Sequence, residues 1–355
     1  MPAWTVTDGG LETDLIFHHG VDLPHFAAYP MLESERGRRL LVDYYDGYAA
    51  VAARAGAGLR LETPTWRANP DWGARLGHDA AALAQADGDA VRLLAGLRES
   101  YRERYTGAIG DVTVVGTMGP RGDGYRSDGA VEPEEARRYH RPQVEALTAA
   151  GADSVAVYTL AEPGEAAGVV RAAREVGIRV EVSFTVETDG RLPDGTPVGE
   201  AIAALDESDP PDSYLVNCAH PTHVVPALAA GGVWLTRVTG LRCNASTRSH
   251  AELDEATELD EGDPVQFARD HGPLLAALPN VDVLGGCCGT DVRHVQALWD
   301  VVRPPEFTGT HRRTRRRRAS GDGRRASTPA STWTPSAPVR GPGCSASRPR
   351  GVSTE

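Results

Sequence analysis

The stretch VDVLGGCCGT, residues 281–290, ends an apolar run with two glycines and two adjacent cysteines. Residues that follow one another on an extended strand point to opposite faces of the sheet. Both sulfur atoms can therefore face one centre only if the backbone leaves strand geometry, and the flanking glycines permit that departure. We interpret the stretch as a strand that ends at a functional centre.

Seven further apolar or β-branched runs precede this stretch, and longer amphipathic patterns separate them. The helical patterns carry apolar residues at three-to-four spacing and include 36–56, 132–152, 165–177 and 263–279. Several of them end in a glycine just before the next strand, as helices with a glycine C-cap do. The predicted strands are 4–10, 59–66, 111–120, 153–160, 179–186, 213–219, 233–240 and 281–289.

Eight strand–helix units predict an α/β fold of the (β/α)8 TIM barrel type. A doubly wound open sheet has the same alternation, but no G-x-G-x-x-G motif follows the first strand. The number of units and the chain length favour one barrel over residues 1–306. From Phe307 onward the composition changes to Arg, Ser, Pro and Gly without apolar periodicity, which predicts a disordered tail over 307–355.

Charge is divided unevenly between the body and the tail. The tail holds 11 arginines and two acidic residues, although the whole chain has a formal net charge of −12. The body is therefore strongly acidic, which argues against nucleic-acid binding by the folded part. Two interpretations of the tail stay open. It is either a basic segment that contacts nucleic acid or anionic surfaces, or an out-of-frame read of GC-rich DNA, which we favour.

The residue types that are absent or scarce exclude several classes of protein. The chain has no lysine, so all 37 basic residues are arginines and a Schiff-base lysine mechanism is excluded. The N-terminal residues do not read as a signal peptide, and no stretch approaches the roughly 20 apolar residues of a membrane span. Five cysteines, an odd number, do not resemble a secreted disulfide framework. We expect a soluble cytoplasmic protein with reduced thiols.

Three of the five cysteines fall where a barrel would place its active site. Catalytic residues of such barrels lie at the C-terminal ends of the strands, and Cys218, Cys287 and Cys288 follow predicted strands six and eight. Three thiolates are a ligand set that Zn²⁺ prefers when one coordination position stays open. The other residues predicted to close strands are Asp8, Glu62, Thr63, Met118, Tyr158, Thr185, Asn217 and Thr239.

Each cysteine also has a simpler interpretation. A lone cysteine such as Cys218 is more often a small buried apolar residue than a ligand, and Cys287 with Cys288 could form a vicinal disulfide or pack. We interpret Cys243 as a packing residue and Cys344 as an incidental residue of the tail.

The body, over residues 4–303, resembles the homocysteine S-methyltransferase family of zinc-dependent thiol methyltransferases. The segments that carry the resemblance are TDGGLETDL (7–15), YHRPQVEALTAAGAD (139–153), SFTVETDGRLPDGTPVGEA (183–201), VNCAHP (216–221) and GGCCGT (285–290). The resemblance implies a (β/α)8 barrel in which Cys218, Cys287 and Cys288 bind zinc and Asp8 is an acid at the mouth of the substrate site. Asn244 matches an asparagine of the family pattern.

The implied reaction is transfer of a methyl group from a cationic onium donor to a small thiol. Zinc would stabilise the thiolate of the acceptor, which would attack the methyl carbon in line. S-methylmethionine suits a stand-alone barrel as donor, betaine is an alternative, and a cobalamin or folate route would need further domains. Candidates for contact with the cation are the acids Asp8, Glu12 and Glu62 and the rings of Trp66 and Trp72.

The sequence departs from the family pattern at Tyr158. The resemblance predicts a glutamate there that holds the amino group of homocysteine, and a phenol cannot neutralise an ammonium. Glu162 is a candidate to compensate from another direction. The expected substrate contacts are Asp8, Glu62, Thr63, Tyr158, Asn217 and Asn244.

Three functional hypotheses follow from these residues. The first is an S-methyltransferase that converts homocysteine to methionine, with a small thiol and a cationic donor as its partners. The second is a family-like zinc-binding barrel with another thiol or selenol acceptor, or with no catalysis. The third is a redox protein in which Cys287 and Cys288 form a reversible disulfide.

Overall fold

The computed structural model describes residues 4–126, 129 and 131–302, and its core is a closed barrel of eight parallel strands in chain order. The sequence-based prediction of a TIM barrel is confirmed. The predicted boundary at residue 306, the tail and Cys344 lie outside the described residues. The strands β1 to β8 are Thr5–Val6, Gly58–Glu62, Val112–Met118, Ser154–Leu160, Val180–Phe184, Ser213–Asn217, Val238–Cys243 and Val283–Gly286.

Helices connect the strands and surround the barrel. The α-helices α1 to α12 are Leu11–Thr13, Glu35–Ala55, Pro70–Arg75, Ala80–Arg104, Pro133–Ala149, Pro163–Val176, Val198–Ser208, Pro221–Leu228, His250–Asp254, Pro264–Asp270, Gly272–Ala277 and Val292–Val301. Short π or 3₁₀ turns span Asp14–His18, Pro24–Phe26, Tyr29–Glu33 and Val233–Thr236. No helix in the described part of the chain is long and apolar enough to cross a membrane.

Local sequence signals set the ends of several helices. The side chain of Ser34 caps α2 by accepting a hydrogen bond from the backbone N–H of Gly37 at 2.9 Å. The same helix ends at Gly56, which adopts the left-handed conformation with φ 65°, as the glycine C-cap pattern predicts. The predicted helix 263–279 is instead two helices, α10 and α11. Pro273 has no backbone N–H to donate to the carbonyl of Arg269, so the hydrogen-bond ladder is interrupted and α11 begins with this proline in its first turn.

The prediction for strand seven is wrong in its position. The predicted strand 233–240 is shifted: β7 is Val238–Cys243, while Val233–Thr236 forms a 3₁₀ turn. Gly231 and Gly232 have positive φ values of 59° and 117° and turn the chain just before this segment. Thr239 consequently lies near the start of the strand, and the C-terminal end carries Arg242 and Cys243.

Hydrogen bonds between neighbouring strands bring the cysteine-bearing ends to one level. β7 pairs with both β6 and β8. Beyond the paired strands, the backbone N–H of Cys218 donates to the carbonyl of Arg242 at 3.0 Å, and that of Cys287 donates to the carbonyl of Cys243 at 2.8 Å. The ends of β6 and β8 are thereby fixed on either side of β7, and their side chains face the same pocket.

Candidate active site

The sulfur atoms of Cys218, Cys287 and Cys288 form one cluster, called here the cysteine cluster. The Sγ of Cys218 lies 3.0 Å from that of Cys287 and 3.6 Å from that of Cys288, and all three lie within 4.8 Å of one another. Soft thiolate ligands gathered in this way fit a zinc ion. The donor set is therefore the one predicted from the sequence.

The backbone after β8 explains how two adjacent cysteines face one centre. β8 ends at Gly286, so neither cysteine is held in extended geometry. The chain turns at once, because the backbone N–H of Thr290 donates to the carbonyl of Cys287 at 3.0 Å and Gly289 has φ 77°. The turn replaces the alternation of a strand, and both sulfurs point into the pocket.

Cys218 is held in an unusual backbone conformation. Its φ is 56°, in the left-handed region that residues with a Cβ rarely adopt. Its carbonyl accepts hydrogen bonds from Asn244 Nδ2 at 2.9 Å and from His250 Nε2 at 2.6 Å. These two side chains stabilise the strained turn that directs the thiol inward. The structure thus places Asn244 behind Cys218.

Asn217 organises the neighbouring end of β4. Its Oδ1 accepts hydrogen bonds from the backbone N–H of Thr159 at 2.9 Å and from Ser183 Oγ at 2.7 Å. Its Nδ2 donates to Thr159 Oγ1 at 2.8 Å and lies 3.9 Å from Cys287 Sγ. Thr159 has φ 62°, an outlying conformation for a β-branched residue. Asn217 therefore links the strained ends of two strands to the cysteine cluster.

Tyr125, in the loop after β3, covers the cysteine cluster. Its hydroxyl lies 3.0 Å from Cys218 Sγ and 3.9 Å from Cys288 Sγ. Its ring lies 4.3 Å from that of His250. Sequence reasoning missed both residues because Tyr125 lies in a loop and His250 begins α9, both away from any strand end. Their proximity to the cysteine cluster is visible only in the tertiary structure.

Hydrogen bonds within the cluster shift the thiol pKa values in opposite directions. Hydrogen bonds from Cys218 and Cys288 lower the pKa of Cys287 well below its ordinary value, burial opposes this, and the charge of Arg242 adds to it. The hydrogen bond with Cys287 raises the pKa of Cys218. A negative charge in the metal-free cluster is therefore favoured on Cys287.

Five residues form a buried charge network beside the cluster: Asp8, Arg60, Glu62, Tyr158 and Arg242. Arg242 donates to Glu62 at 2.6 Å and to Asp8. Arg60 donates to Glu62 at 2.8 Å and to Tyr158 Oη at 3.2 Å. Burial of these charges is offset because they are paired and hydrogen-bonded.

Arg242 is the main residue of this network that sequence reasoning missed. It lies at the end of β7 and is 8% exposed. Its remaining donors reach the carbonyls of Gly9 and Gly286, both at 3.1 Å. The shifted prediction for strand seven concealed its place at the rim.

The two acids of the network differ in pKa. Burial, together with the neighbouring charge of Glu62, raises the pKa of Asp8 to about 7 against the effect of Arg242. Burial also acts on Glu62, but Arg242, Arg60 and the hydrogen bond from Tyr158 outweigh it and lower the pKa of Glu62. Glu62 is therefore the ionised partner of the two arginines.

Tyr158 belongs to the network and carries no charge. Its hydroxyl donates to Glu62 Oε1 at 2.6 Å, and burial raises its pKa well above the ordinary value. The guanidinium of Arg242 lies 5.0 Å from its ring centroid. The hydroxyl is thus engaged with protein groups, and this side of the pocket offers no free carboxylate where the family pattern would place one.

The network and the cysteine cluster open into one pocket of about 620 Å³, part of it open to solvent. A concave pocket with several converging polar groups is typical of a small-molecule site. Asn244 is buried but does not line the pocket, whereas the other expected substrate contacts and the three cysteines do. The lining residues include Asp8, Glu12, Glu62, Thr63, Trp66, Tyr125, Tyr158, Asn217, Arg242 and the three cysteines.

Thr63 lines the pocket through a hydroxyl that is already bonded. It accepts a hydrogen bond from the backbone N–H of Thr117 at 2.7 Å and lies 2.6 Å from Thr65 Oγ1. Thr65 in turn donates to the carbonyl of Thr117 at 2.7 Å. These bonds tie the end of β2 to that of β3.

The tryptophan rings considered for an onium cation already hold a protein cation. The guanidinium of Arg67 lies 4.0 Å from the ring centroid of Trp66 and 3.9 Å from that of Trp72. Trp72 is 4% exposed and is not among the pocket-lining residues. Glu162, considered as a substitute acid, does not line the pocket either.

Comparisons with known proteins indicate one protein family along nearly the whole described chain. The family model described as homocysteine S-methyltransferase matches residues 5–302. The homocysteine S-methyltransferase of Escherichia coli strain K12 is 30% identical over 301 residues, covering 82% of this chain and 93% of that protein. Homocysteine S-methyltransferase 4 of Zea mays is 27% identical over 329 residues, covering 85% of this chain and 90% of that protein.

Solved structures of a homocysteine methyltransferase also match this chain. The metallated form of the homocysteine methyltransferase MmuM from Escherichia coli matches with a TM-score of 0.67 and 26% identity, covering 85% of this chain and 97% of that chain. The oxidised form matches with a TM-score of 0.68 and 26% identity, covering 84% and 96%. The chain belongs to the homocysteine S-methyltransferase family, which consists of methyltransferases.

Proposed function

We propose that this protein is a zinc-dependent S-methyltransferase that moves a methyl group from a cationic onium donor to a small thiol, with homocysteine as acceptor and methionine as product. The observation that carries the proposal is the convergence of three cysteine sulfurs within 4.8 Å of one another, in a pocket of a chain that belongs to this family. A set of three thiolates leaves room for a fourth ligand.

Cys218, Cys287 and Cys288 would hold the metal. Zinc bound there would supply an open position for the acceptor sulfur and would stabilise it as a thiolate that stays nucleophilic. The protein contributes rigidity, because Asn244 and His250 fix the Cys218 carbonyl and Asn217 fixes Thr159. Such supporting contacts orient metal ligands and tune their affinity.

The reaction is a displacement at the methyl carbon. The acceptor thiol gives its proton to solvent, and its sulfur forms a bond to the methyl group. The bond between the methyl carbon and the donor's onium atom breaks, and the electron pair returns to that atom. Holding both substrates in one pocket lowers the entropic part of the barrier for such a two-substrate step.

S-methylmethionine is the proposed donor, with betaine as the alternative. Both carry their methyl group on a positively charged atom, and neither needs a further cofactor domain. The aromatic contact considered from the sequence adds no support for either donor, because Arg67 already lies over one face of both Trp66 and Trp72.

One observation favours a second candidate acceptor. Tyr158 is neutral and bonded to Glu62, so the side of the pocket next to β4 does not bind an ammonium. Another small thiol or a selenol is the alternative to homocysteine on this ground.

The metal content of the protein tests the proposal. The full-length protein, purified under reducing conditions and supplied with zinc, should retain about one zinc per chain after dialysis. The Cys288→Ala variant should lose most of it, because two thiolates hold zinc far less well than three. Cys243→Ala is the matched control, since Cys243 is buried in the barrel core, outside the cluster, and this variant should keep its zinc.

Two results would contradict the proposal. A wild-type protein that retains no zinc would leave the thiolate mechanism without its metal. A zinc-loaded protein that transfers no methyl group from S-methylmethionine or betaine to homocysteine, to another small thiol or to a selenol would favour a non-catalytic barrel.

A further inference from the structure

The pocket contains three carboxylates, and two of them are neutralised by the protein. Asp8 and Glu62 both pair with Arg242, and Glu62 also pairs with Arg60. Each carboxylate thus has a buried guanidinium as its partner. Neither is free to bind a cationic group of a substrate without giving up that partner.

Glu12 is the third carboxylate, and its position differs. It lines the same pocket and lies in α1, the first helix after β1. It forms no ion pair with arginine or histidine among residues 4–126, 129 and 131–302. The contact that acts on its carboxylate is a hydrogen bond from its own backbone N–H. Its side chain is only partly exposed, so water compensates its charge incompletely.

The nearby cations do not take up Glu12. Arg67 is stacked between two tryptophans and donates to the carbonyl of Gly122 at 3.1 Å. Arg242 uses its donors on Asp8, Glu62 and two carbonyls. Burial, with the negative charges of Cys287 and Asp8, raises the pKa of Glu12 to about 7. A cation bound beside Glu12 would relieve that unfavourable charge.

We propose that Glu12 binds the ammonium group of the thiol acceptor, in place of the carboxylate that Tyr158 cannot supply. This inference rests on the proposed function, because it assumes an amino thiol whose sulfur lies at the cysteine cluster. Glu12 follows β1, which pairs with β8, so it stands on the Cys287 side of the barrel. The acceptor's amino group would accordingly point toward β1 and away from β4.

The course of the reaction explains why Glu12 serves an ammonium group better than the donor's onium atom. The onium charge of the donor disappears as the methyl group moves to a thiolate. A fixed carboxylate beside that charge would stabilise the ground state more than the transition state and slow the reaction. The ammonium of the acceptor keeps its charge throughout, so a carboxylate can bind it without that cost.

A pair of acceptors that differ only in the amino group tests the inference. Homocysteine and 4-sulfanylbutanoate have the same chain, thiol and carboxylate, but the second lacks the ammonium. The zinc-loaded full-length wild type, Glu12→Gln and the control Glu35→Gln would be compared by steady-state kinetics and by calorimetric binding of each thiol. Glu35 is an exposed residue of α2 that pairs with Arg39, and it lies outside the pocket.

The expected result is selective. Glu12→Gln should raise the KM and the Kd for homocysteine about 10- to 100-fold, the range for loss of one hydrogen bond to a charged group. The values for 4-sulfanylbutanoate and the KM for the donor should change less than about threefold, and zinc content and melting temperature should match those of Glu35→Gln.

Other patterns overturn the inference. Equal losses for both thiols would place Glu12 in general support of the site, and a raised KM for the donor would assign it to the donor, through the onium group or through the ammonium of S-methylmethionine. A wild type that binds homocysteine no better than 4-sulfanylbutanoate would remove the ammonium site altogether. Failure of the proposed function is distinct from these results, because it appears in the wild type as absence of methyl transfer to every thiol.

Discussion

Replacement of Arg242 by methionine should destabilise the barrel more than replacement of any exposed arginine. Arg242 is 8% exposed and is bonded to Asp8, to Glu62 and to the carbonyls of Gly9 and Gly286. Methionine has a similar length but provides no charge and no donors. The substitution leaves Asp8 without its arginine and Glu62 with Arg60 alone. Breaking a buried ion pair in this way costs about 3–5 kcal/mol of unfolding free energy.

The loss of unfolding free energy in Arg242→Met should depend on pH. The direction of that dependence follows from the pKa values of Asp8 and Glu62. In the wild type the pKa of Asp8 is raised from 3.8 to about 7. A group with a raised pKa in the folded state contributes stability below its ordinary pKa and loses that contribution as the pH rises through the folded value. Without Arg242 the pKa of Asp8 should rise further, and the pKa of Glu62 should rise from its lowered value. The difference between wild type and Arg242→Met should therefore be larger at pH 8 than at pH 5.5, where the acids can take up protons.

Urea unfolding followed by circular dichroism would measure this difference at both pH values. Zinc is removed from all samples with a chelator, because a bound metal would itself stabilise the folded state. Arg171→Met is the matched control: Arg171 pairs with Asp209 through two hydrogen bonds but is 40% exposed, and exposed pairs contribute about 0–1 kcal/mol. A loss below about 1 kcal/mol for Arg242→Met, or one that does not change with pH, would refute the assigned role of Arg242.

Two further substitutions test the surroundings of the cysteines. Asn244→Ala removes a hydrogen-bond donor to the Cys218 carbonyl and should weaken zinc binding about 10- to 100-fold, as loss of supporting contacts does. Competition with a chromophoric chelator measures the zinc affinity. An unchanged affinity would show that the bond from Asn244 to Cys218 does not support the metal site. Tyr158→Glu places a second carboxylate beside Glu62 and should lower the melting temperature more than Tyr158→Phe. The phenylalanine only removes the hydrogen bonds with Glu62 and Arg60, each worth about 1.5–3 kcal/mol as a bond to a charged group. Equal melting temperatures of these two variants would show that the surroundings of Tyr158 accept a second negative charge.

The barrel could be predicted from the sequence because its signals are local. Each strand is a short apolar run, and each helix has its own periodicity and often its own terminal glycine, so neighbouring residues suffice to locate them. Strand seven is the exception. The VWLT segment of 233–236 has the composition of a strand, but the two glycines before it turn the chain. The strand that forms is β7, which carries Arg242 near its C-terminal end. A buried arginine breaks the apolar pattern, because its stability depends on carboxylates from distant strands.

The cysteine cluster was also predictable, for a related reason. Once a barrel is accepted, the ends of all its parallel strands lie on one rim, and a cysteine at such an end points to a common pocket. The geometry that makes the cluster work was not predictable. The positive φ of Cys218 depends on donors from Asn244 and His250, and Tyr125 reaches the sulfurs from a separate loop.

By itself the sequence determined the class of fold, the number of strand–helix units and the residues able to bind a metal, because these depend on composition and spacing along the chain. The tertiary structure decided which charges remain available to a substrate. Asp8, Glu12 and Glu62 are alike as acids in the sequence. In the fold Asp8 pairs with Arg242, Glu62 pairs with Arg242 and Arg60, and Glu12 is left facing the pocket. Charge pairing inside a barrel joins residues that are far apart in sequence, and burial makes each pairing decisive because little water is present to compensate an unpaired charge.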